Sequence, residues 1–166
     1  MNYYIFRHGE TYETKNNLEY GPRIEKAEIL PVAVPTTKKI ARYLSKKEID
    51  KFYSSGYKRC VQTSEIVKEI TKMDYTIDER LGEYRSERES FNEFSLRVDD
   101  FLLELKKKDF KAVSICTHGA VISALTYKIV GKAYSLNELI DFPRPGVVIE
   151  IDRSGIRRVS FRSNNS

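Results

Sequence analysis

The N-terminal stretch Met1-Asn2-Tyr3-Tyr4-Ile5-Phe6-Arg7-His8-Gly9-Glu10 decides how the rest of the chain is to be understood. Tyr3 to Phe6 is a short apolar run of strand character that stops at a histidine flanked by a fixed cation and a glycine. The chain has 2 histidines, and the other stands in the same setting. Ala112 to Cys116 reads as a central strand, Thr117-His118-Gly119 follows, and a helical pattern with Val121, Ile122, Leu125 and Ile129 on one face begins at once. Two imidazoles at two strand ends can meet in space although 110 positions separate them.

Outward from these two points, strands alternate with helices. Thr36 or Thr37 is placed to cap a helix through about Lys46, and Asp50 to Ser54 reads as a strand running into the loop Ser55-Gly56-Tyr57. Lys58 to Lys72 has Cys60, Val67 and Ile70 at helical spacing, and Tyr75 to Ile77 is a short strand. Ser90 followed by Glu93 is a capping box opening a helix to about Lys108, with Phe94, Val98, Phe101, Leu102 and Leu105 as its apolar stripe. Lys106 to Lys108 then complement the dipole at its C-terminus. Gly131 stops the helix that follows His118, and Val147–Ile151 with Ile156–Phe161 form a closing hairpin around Asp152-Arg153-Ser154-Gly155. Residues 12–35, punctuated by Pro22, Pro31 and Pro35, read as irregular.

This pattern predicts a single domain over residues 1–166: an α/β three-layer sandwich with a mostly parallel central sheet, helices on both faces and a C-terminal antiparallel hairpin. In such sheets ligands bind beyond the carboxyl ends of the strands, where both histidines lie. Composition narrows the class further. No apolar stretch approaches the roughly 20 residues of a membrane helix, and the N-terminus has no charged start or long apolar body of a signal peptide. Cys60 and Cys116 are too few for a disulfide scaffold, which points to a reducing, cytoplasmic setting. Ile66 and Ile122 stand where a cysteine-phosphatase loop needs arginine, so both thiols read as small buried residues. The net charge of +5 is spread over helices and a basic end without nucleic-acid motif spacing. It favours anionic small partners rather than nucleic acid or membrane.

A histidine attacks phosphorus only if one ring nitrogen is bare and aimed, with the other held by a hydrogen bond. The end of a central strand can hold it so. Arg7 supplies a planar fork of donors for phosphate oxygens, and Gly9 allows a turn and close approach of a phosphate. Arg59 follows the Ser54-Ser55 strand end at the start of a helix, a setting that favours an anion. The string Arg-His-Gly-Glu arises by chance in a chain this long about once in a thousand.

These residues resemble the motifs of the histidine phosphatase superfamily. Arg7-His8-Gly9-Glu10-Thr11 matches its first signature, and Ser54-Ser55 with Arg59 and Gln62-Thr63 its second, Gly56-Tyr57 replacing the usual Pro-Leu. Leu81-Gly82-Glu83 is similar to its acid motif, Glu89-Ser90 and Arg97 to the start of the following helix, and Thr117-His118-Gly119 to its second-histidine motif. The blocks fall in family order across nearly the whole chain.

The resemblance implies a phosphoglycerate mutase-like fold, with His8 as nucleophile, Glu83 as general acid/base and His118 as a donor to the transferring phosphoryl group. Arg7 and Arg59 would be phosphate clamps, with Gly9, Thr11 and Gly119 lining the site. No cofactor and no metal is expected, since arginine and histidine donors supply the positive charge.

Two departures carry weight. Asn16 and Asn17 are offset from the place of the family's phosphate-binding asparagine, and only Tyr84 to Arg88 stand where mutases carry a long lid insertion. A shallow open site is therefore expected, with water discharging the phosphohistidine. The implied activity is hydrolysis of phosphomonoesters on a phosphorylated small molecule or phosphoprotein. The alternatives are a phosphohistidine protein phosphatase, a mutase, or a phosphate-binding module without catalysis. Glu79, Arg80, Arg85, Glu87, Arg88 and Glu89 also allow Glu83 to be one more member of a surface ion-pair network.

Overall fold

The computed structural model describes residues 1–163. Six strands form one sheet: β1 (Asn2–Arg7), β2 (Lys51–Ser54), β3 (Tyr75–Ile77), β4 (Ala112–Thr117), β5 (Val147–Asp152) and β6 (Gly155–Ser160), in the order β3-β2-β4-β1-β5-β6. The pairs β1·β4, β2·β4 and β2·β3 are parallel, and β5 runs antiparallel to both β1 and β6. The predicted mixed sheet with its closing hairpin is thus observed.

Period-2 alternation distributes each strand between two cores. Ile5, Tyr53, Ile115 and Ile149 face α4 (Phe91–Lys106) and α5 (Gly119–Ile129). Their chain neighbours Phe6, Phe52, Cys116 and Val148 face α2 (Ala33–Leu44) and α3 (Lys58–Thr71). Every residue of β4 is buried, as a strand covered on both faces must be. The apolar stripe on α4 is buried as predicted, and its capping box is formed: Ser90 Oγ accepts from Glu93 N (3.2 Å) while Glu93 Oε2 accepts from Ser90 N (2.7 Å). Cys60 and Cys116 are both buried and unbridged. Among the described residues no helix is long and apolar enough to cross a membrane.

Residues 12–35 are more ordered than the sequence suggests. Thr11 caps a short helix, α1 (Tyr12–Asn16), through a reciprocal box with Thr14, and a 3-10 turn covers Gly21–Arg23. Helix α2 begins at Ala33, earlier than the threonine caps predict. Pro35 sits in its first turn, where no intrahelical N–H is needed, and Thr37 Oγ1 donates back to Ala33 O (2.9 Å) instead of capping.

The parallel strands end at one edge. Arg7 and Thr117 are partners in the β1·β4 register, and Ser54 pairs with Cys116 on the other side of β4. The residues that follow, His8, His118 and Ser55, therefore emerge side by side.

Candidate active site

His8 and His118 meet with ring centroids 5.4 Å apart. His8 Nδ1 lies 2.8 Å from Gly9 O, and a carbonyl can only accept, so Nδ1 carries the proton. Nε2 is left with a bare lone pair. It is buried and has no hydrogen-bond partner. The imidazole is held neutral: burial pushes its pKa well below the usual value, and Arg59 and Arg7 push it the same way.

His118 is fixed at both nitrogens. Arg59 Nη2 donates to Nδ1 (3.0 Å), so Nε2 bears the proton and donates to Ser55 Oγ (2.8 Å). Its pKa is depressed first by burial, then by Arg59 and His8. Thr117 Oγ1 donates to Leu81 O (2.6 Å), tying the end of β4 to the segment that carries Glu83. Glu83 Oε2 stands 3.7 Å from His118 Nδ1 and 3.8 Å from Arg59 Nη2. Burial raises the Glu83 pKa, against the opposing pull of Arg7 and Arg59. Glu83 is thus turned inward. The surface network expected of its neighbours is real for Arg80 with Asp78 and Glu104, and for Arg85 with Glu87.

Arg59 is the largest fully buried side chain described. Its Nε and the Nε of Arg7 are buried without partners, as is His8 Nε2. Five of the eight residues expected at the site, Arg7, His8, Arg59, Glu83 and His118, therefore gather at the sheet edge.

For the other three the structure shows packing and hydrogen-bond partners. Gly9 N donates to Thr63 Oγ1 (2.8 Å), and a Cβ on Gly9 would lie 3.0 Å from Ala33 Cβ, so the glycine lets α2 approach. A Cβ on Gly119 would stand 2.6 Å from the Phe142 ring, which itself packs 5.0 Å from the Arg7 guanidinium carbon. Thr11 Oγ1 is engaged by Thr14 N (3.1 Å) and Tyr20 Oη (2.9 Å). Asn16 donates to Tyr12 O, and Asn17 ends α1 in the left-handed region.

The expected shallow open site is not found. His8, Arg59 and His118 are each 0% exposed. Aromatic rings compensate for the short segment: Tyr20 stacks 4.0 Å from the Arg59 guanidinium carbon, and Tyr57 packs 5.0 Å from the His118 ring. Ile24 O accepts from Arg59 Nη1. The two covering segments are joined where Glu25 Oε1 accepts from Arg85 Nη1 and Arg88 Nη1, both at 3.0 Å.

Tyr20, Ser55, Tyr57 and Glu25 were not foreseen. Ser55 and Tyr57 had a signal, Ser55 in the strand-end motif and Tyr57 as one of the two residues that replace its usual Pro-Leu.

The chain is similar over most of its length to proteins described as phosphatases. "Putative phosphoserine phosphatase 2" of Hydrogenobacter thermophilus is 23% identical over 195 aligned positions, covering 98% of this chain and 91% of the relative. A crystal structure described as a "putative alpha-ribazole-5'-P phosphatase" from Escherichia coli superposes with a TM-score of 0.79 at 17% identity, covering 98% and 97% of the two chains. A mycobacterial glucosyl-3-phosphoglycerate phosphatase in complex with VO3 gives 0.74 at 15% identity and 99% coverage of both. These likenesses establish the fold. The family profile matches residues 3–86 and 84–164, two segments that overlap at 84–86, just after Glu83. Strand order, motif order and profile agree: the chain belongs to the histidine phosphatase superfamily, branch 1.

Proposed function

We propose that this phosphatase hydrolyses small phosphomonoesters through a phosphohistidine on His8. The observation that carries the reading is the state of the His8 ring. One nitrogen is locked as a donor, the other is bare, buried and unpartnered, and two unpartnered arginine Nε atoms lie in the same site.

A phosphoryl group seated there would take donors from Arg7 and Arg59. His8 Nε2 attacks in line, the N–P bond forms as the P–O bond to the leaving group breaks, and Glu83 gives that oxygen its proton. Burial suits Glu83 to this, because a carboxyl with a raised pKa retains its proton nearer neutral pH. Water then attacks phosphorus, Glu83 takes its proton, the N–P bond breaks, and inorganic phosphate leaves with His8 restored. His118 enters this scheme by position. Arg59 Nη2 can move from His118 to phosphate, and the dianion then favours a proton on the freed Nδ1, making it a further donor.

The positive charge in this scheme comes from arginine. Among the described residues no three His, Cys, Asp or Glu side chains are grouped as a metal site. The roof of Tyr20 and Tyr57 has to open for any substrate to reach His8, and a small ester asks for a smaller opening than a folded partner does. Release to water rather than to a second substrate is supported by the phosphatase descriptions of the relatives.

The test is a panel of phosphomonoesters assayed with excess chelator beside His8→Ala. The expected result is chelator-insensitive turnover that falls roughly 10⁴-fold or more in the variant. Turnover that survives the substitution, or vanishes with the chelator, contradicts the mechanism.

A further inference from the structure

Glu83 stands within 4 Å of His118 and Arg59, yet the chain between Leu81 and α4 is neither helix nor strand. Something other than a backbone ladder has to hold the proposed acid in place. The contacts of that segment show what does. A 3-10 turn, Glu79–Leu81, opens it and is capped by Asp78. Its three carbonyls each meet a donor: Glu79 O accepts from Gly82 N (3.1 Å), Arg80 O from Arg97 Nη1 (2.6 Å) and Leu81 O from Thr117 Oγ1 (2.6 Å). Glu83 O accepts from Arg97 Nη2 in a longer contact of 3.4 Å. One guanidinium therefore holds the chain at two carbonyls, one ahead of the acid and one on the acid itself.

We infer that Arg97 is a positioning residue for Glu83, and that Glu89 locks it in that role. Arg97 lies on α4, whose apolar stripe fixes it to the core, and its guanidinium carbon is 4.8 Å from the buried Phe94 ring one turn earlier. Its Nε and Nη2 donate to the two oxygens of Glu89 (2.8 and 2.5 Å), a bidentate pair that sets the plane of the fork. All three nitrogens thus donate within the protein. Arg7 and Arg59 differ, since their Nε atoms lack partners, so Arg97 is not a third phosphate clamp. The carboxylate of Glu89 has a second effect. Burial raises the Glu83 pKa, while Arg7, Arg59 and Arg97 each pull it back. Glu89 offsets the charge of Arg97, which can then grip the segment with less pull on the proton of Glu83. The inference rests on the phosphatase reading above and adds to it the residue that holds its acid in register.

The test compares kcat on propyl phosphate, whose leaving alkoxide needs a proton, with kcat on para-nitrophenyl phosphate, whose leaving group hardly does. Arg97→Lys keeps the charge but cannot span two carbonyls and a carboxylate. It should lower kcat on the alkyl ester about tenfold or more and leave the aryl ester within about threefold. Glu89→Gln should move the ratio the same way by a smaller factor, and it carries the test if Arg97→Lys does not fold. In a Glu83→Gln background, Arg97→Lys should leave the alkyl rate within about twofold, because the group it positions is gone. Equal losses on the two esters, an unmoved ratio, or a full further loss in the Glu83→Gln background would make Arg97 a general support of the fold and overturn the inference. A Glu83→Gln enzyme with an undiminished alkyl rate would instead remove Glu83 as the acid. An unmodified enzyme that hydrolyses neither ester, nor any other phosphomonoester, would remove the phosphatase reading itself.

Discussion

The floor of the site is carried by the ends of β1, β2 and β4, whereas its roof is carried by two irregular segments, residues 20–25 and 83–88. The floor is set by buried backbone ladders, and its side chains are held at both ends: His8 by its own loop carbonyl, His118 by Ser55 and Arg59. The roof is held by aromatic stacking on Arg59 and by ion pairs with partly exposed partners. Fixed geometry belongs where charge is transferred, and weak, reversible contacts belong where substrate has to pass. The same contrast separates what a chain-only reading can find from what it cannot.

The sharpest division comes from Glu83, which stands in the 83–88 segment of the roof yet lies within 4 Å of His118 and Arg59 on the floor. Glu83→Gln should lower kcat on alkyl phosphates about 10²- to 10³-fold and less on aryl phosphates, whose leaving groups need little protonation. Its pH profile should also lose the alkaline decline, since the raised carboxyl pKa means the acid form is consumed as pH rises through it. Steady-state profiles of both proteins check this, and a retained alkaline limb in the variant would assign that limb elsewhere.

Gly119→Ala probes the joint between floor and roof. Its Cβ would meet the Phe142 ring at 2.6 Å and drive it from Arg7. A loss of about 1–3 kcal/mol in stability is expected from the overpacking, together with a raised KM. Denaturant melts and kinetics read the two effects, and an unchanged KM would mean Arg7 does not depend on that ring.

The floor also predicts a pH signature of stability. His8 and His118 have folded-state pKa values depressed well below 6.5, so the unfolded chain binds protons that the native state refuses. Their contribution is complete above about pH 6.5 and is lost as pH falls toward the depressed values. Melting temperature should drop between pH 7 and 5, with a shallower slope in His118→Asn. A flat profile in the unmodified protein over that window would contradict the neutral, buried pair. The acids with lowered pKa values, such as Asp50, Asp78 and Asp141, lose their contributions only at lower pH.

The smallest effect belongs to the roof. Arg88→Gln should change stability by less than about 1 kcal/mol, as an exposed ion pair does. A larger loss in a thermal melt would make the Glu25–Arg88 pair a structural clamp on the roof.

How much was legible follows the same line. β1, β4 and the stripe on α4 were readable because buried strands and amphipathic helices impose periods on the chain, and the motifs sit at the ends of those elements. Glu83 was found by its motif but not by its surroundings. The charge run is not uniformly solvated: Glu83, Arg85 and Glu89 are largely covered while Glu87 and Arg88 are exposed, a division with no period in the sequence. Tyr20 was beyond reach, because its stacking partner lies 39 positions away and only the path of an irregular segment brings them together. Gly9 and Gly119 are expected from the motifs to line the site, but the neighbours that crowd them, Ala33 and Phe142, leave no local trace in the sequence. The openness of the site was misjudged because a short segment was equated with a missing cover. Two aromatic side chains, Tyr20 and Tyr57, cover what a longer lid would have.

The most direct test of the account is to trap the phosphorylated enzyme. A rapid acid-free quench with a ³²P-labelled phosphomonoester should leave label on the protein that is stable to alkali, lost in acid, and confined to the peptide carrying His8. Label on Ser55, Cys60 or Glu83, or turnover with no phosphoenzyme at any time point, would contradict the bare Nε2 of His8 as the nucleophile.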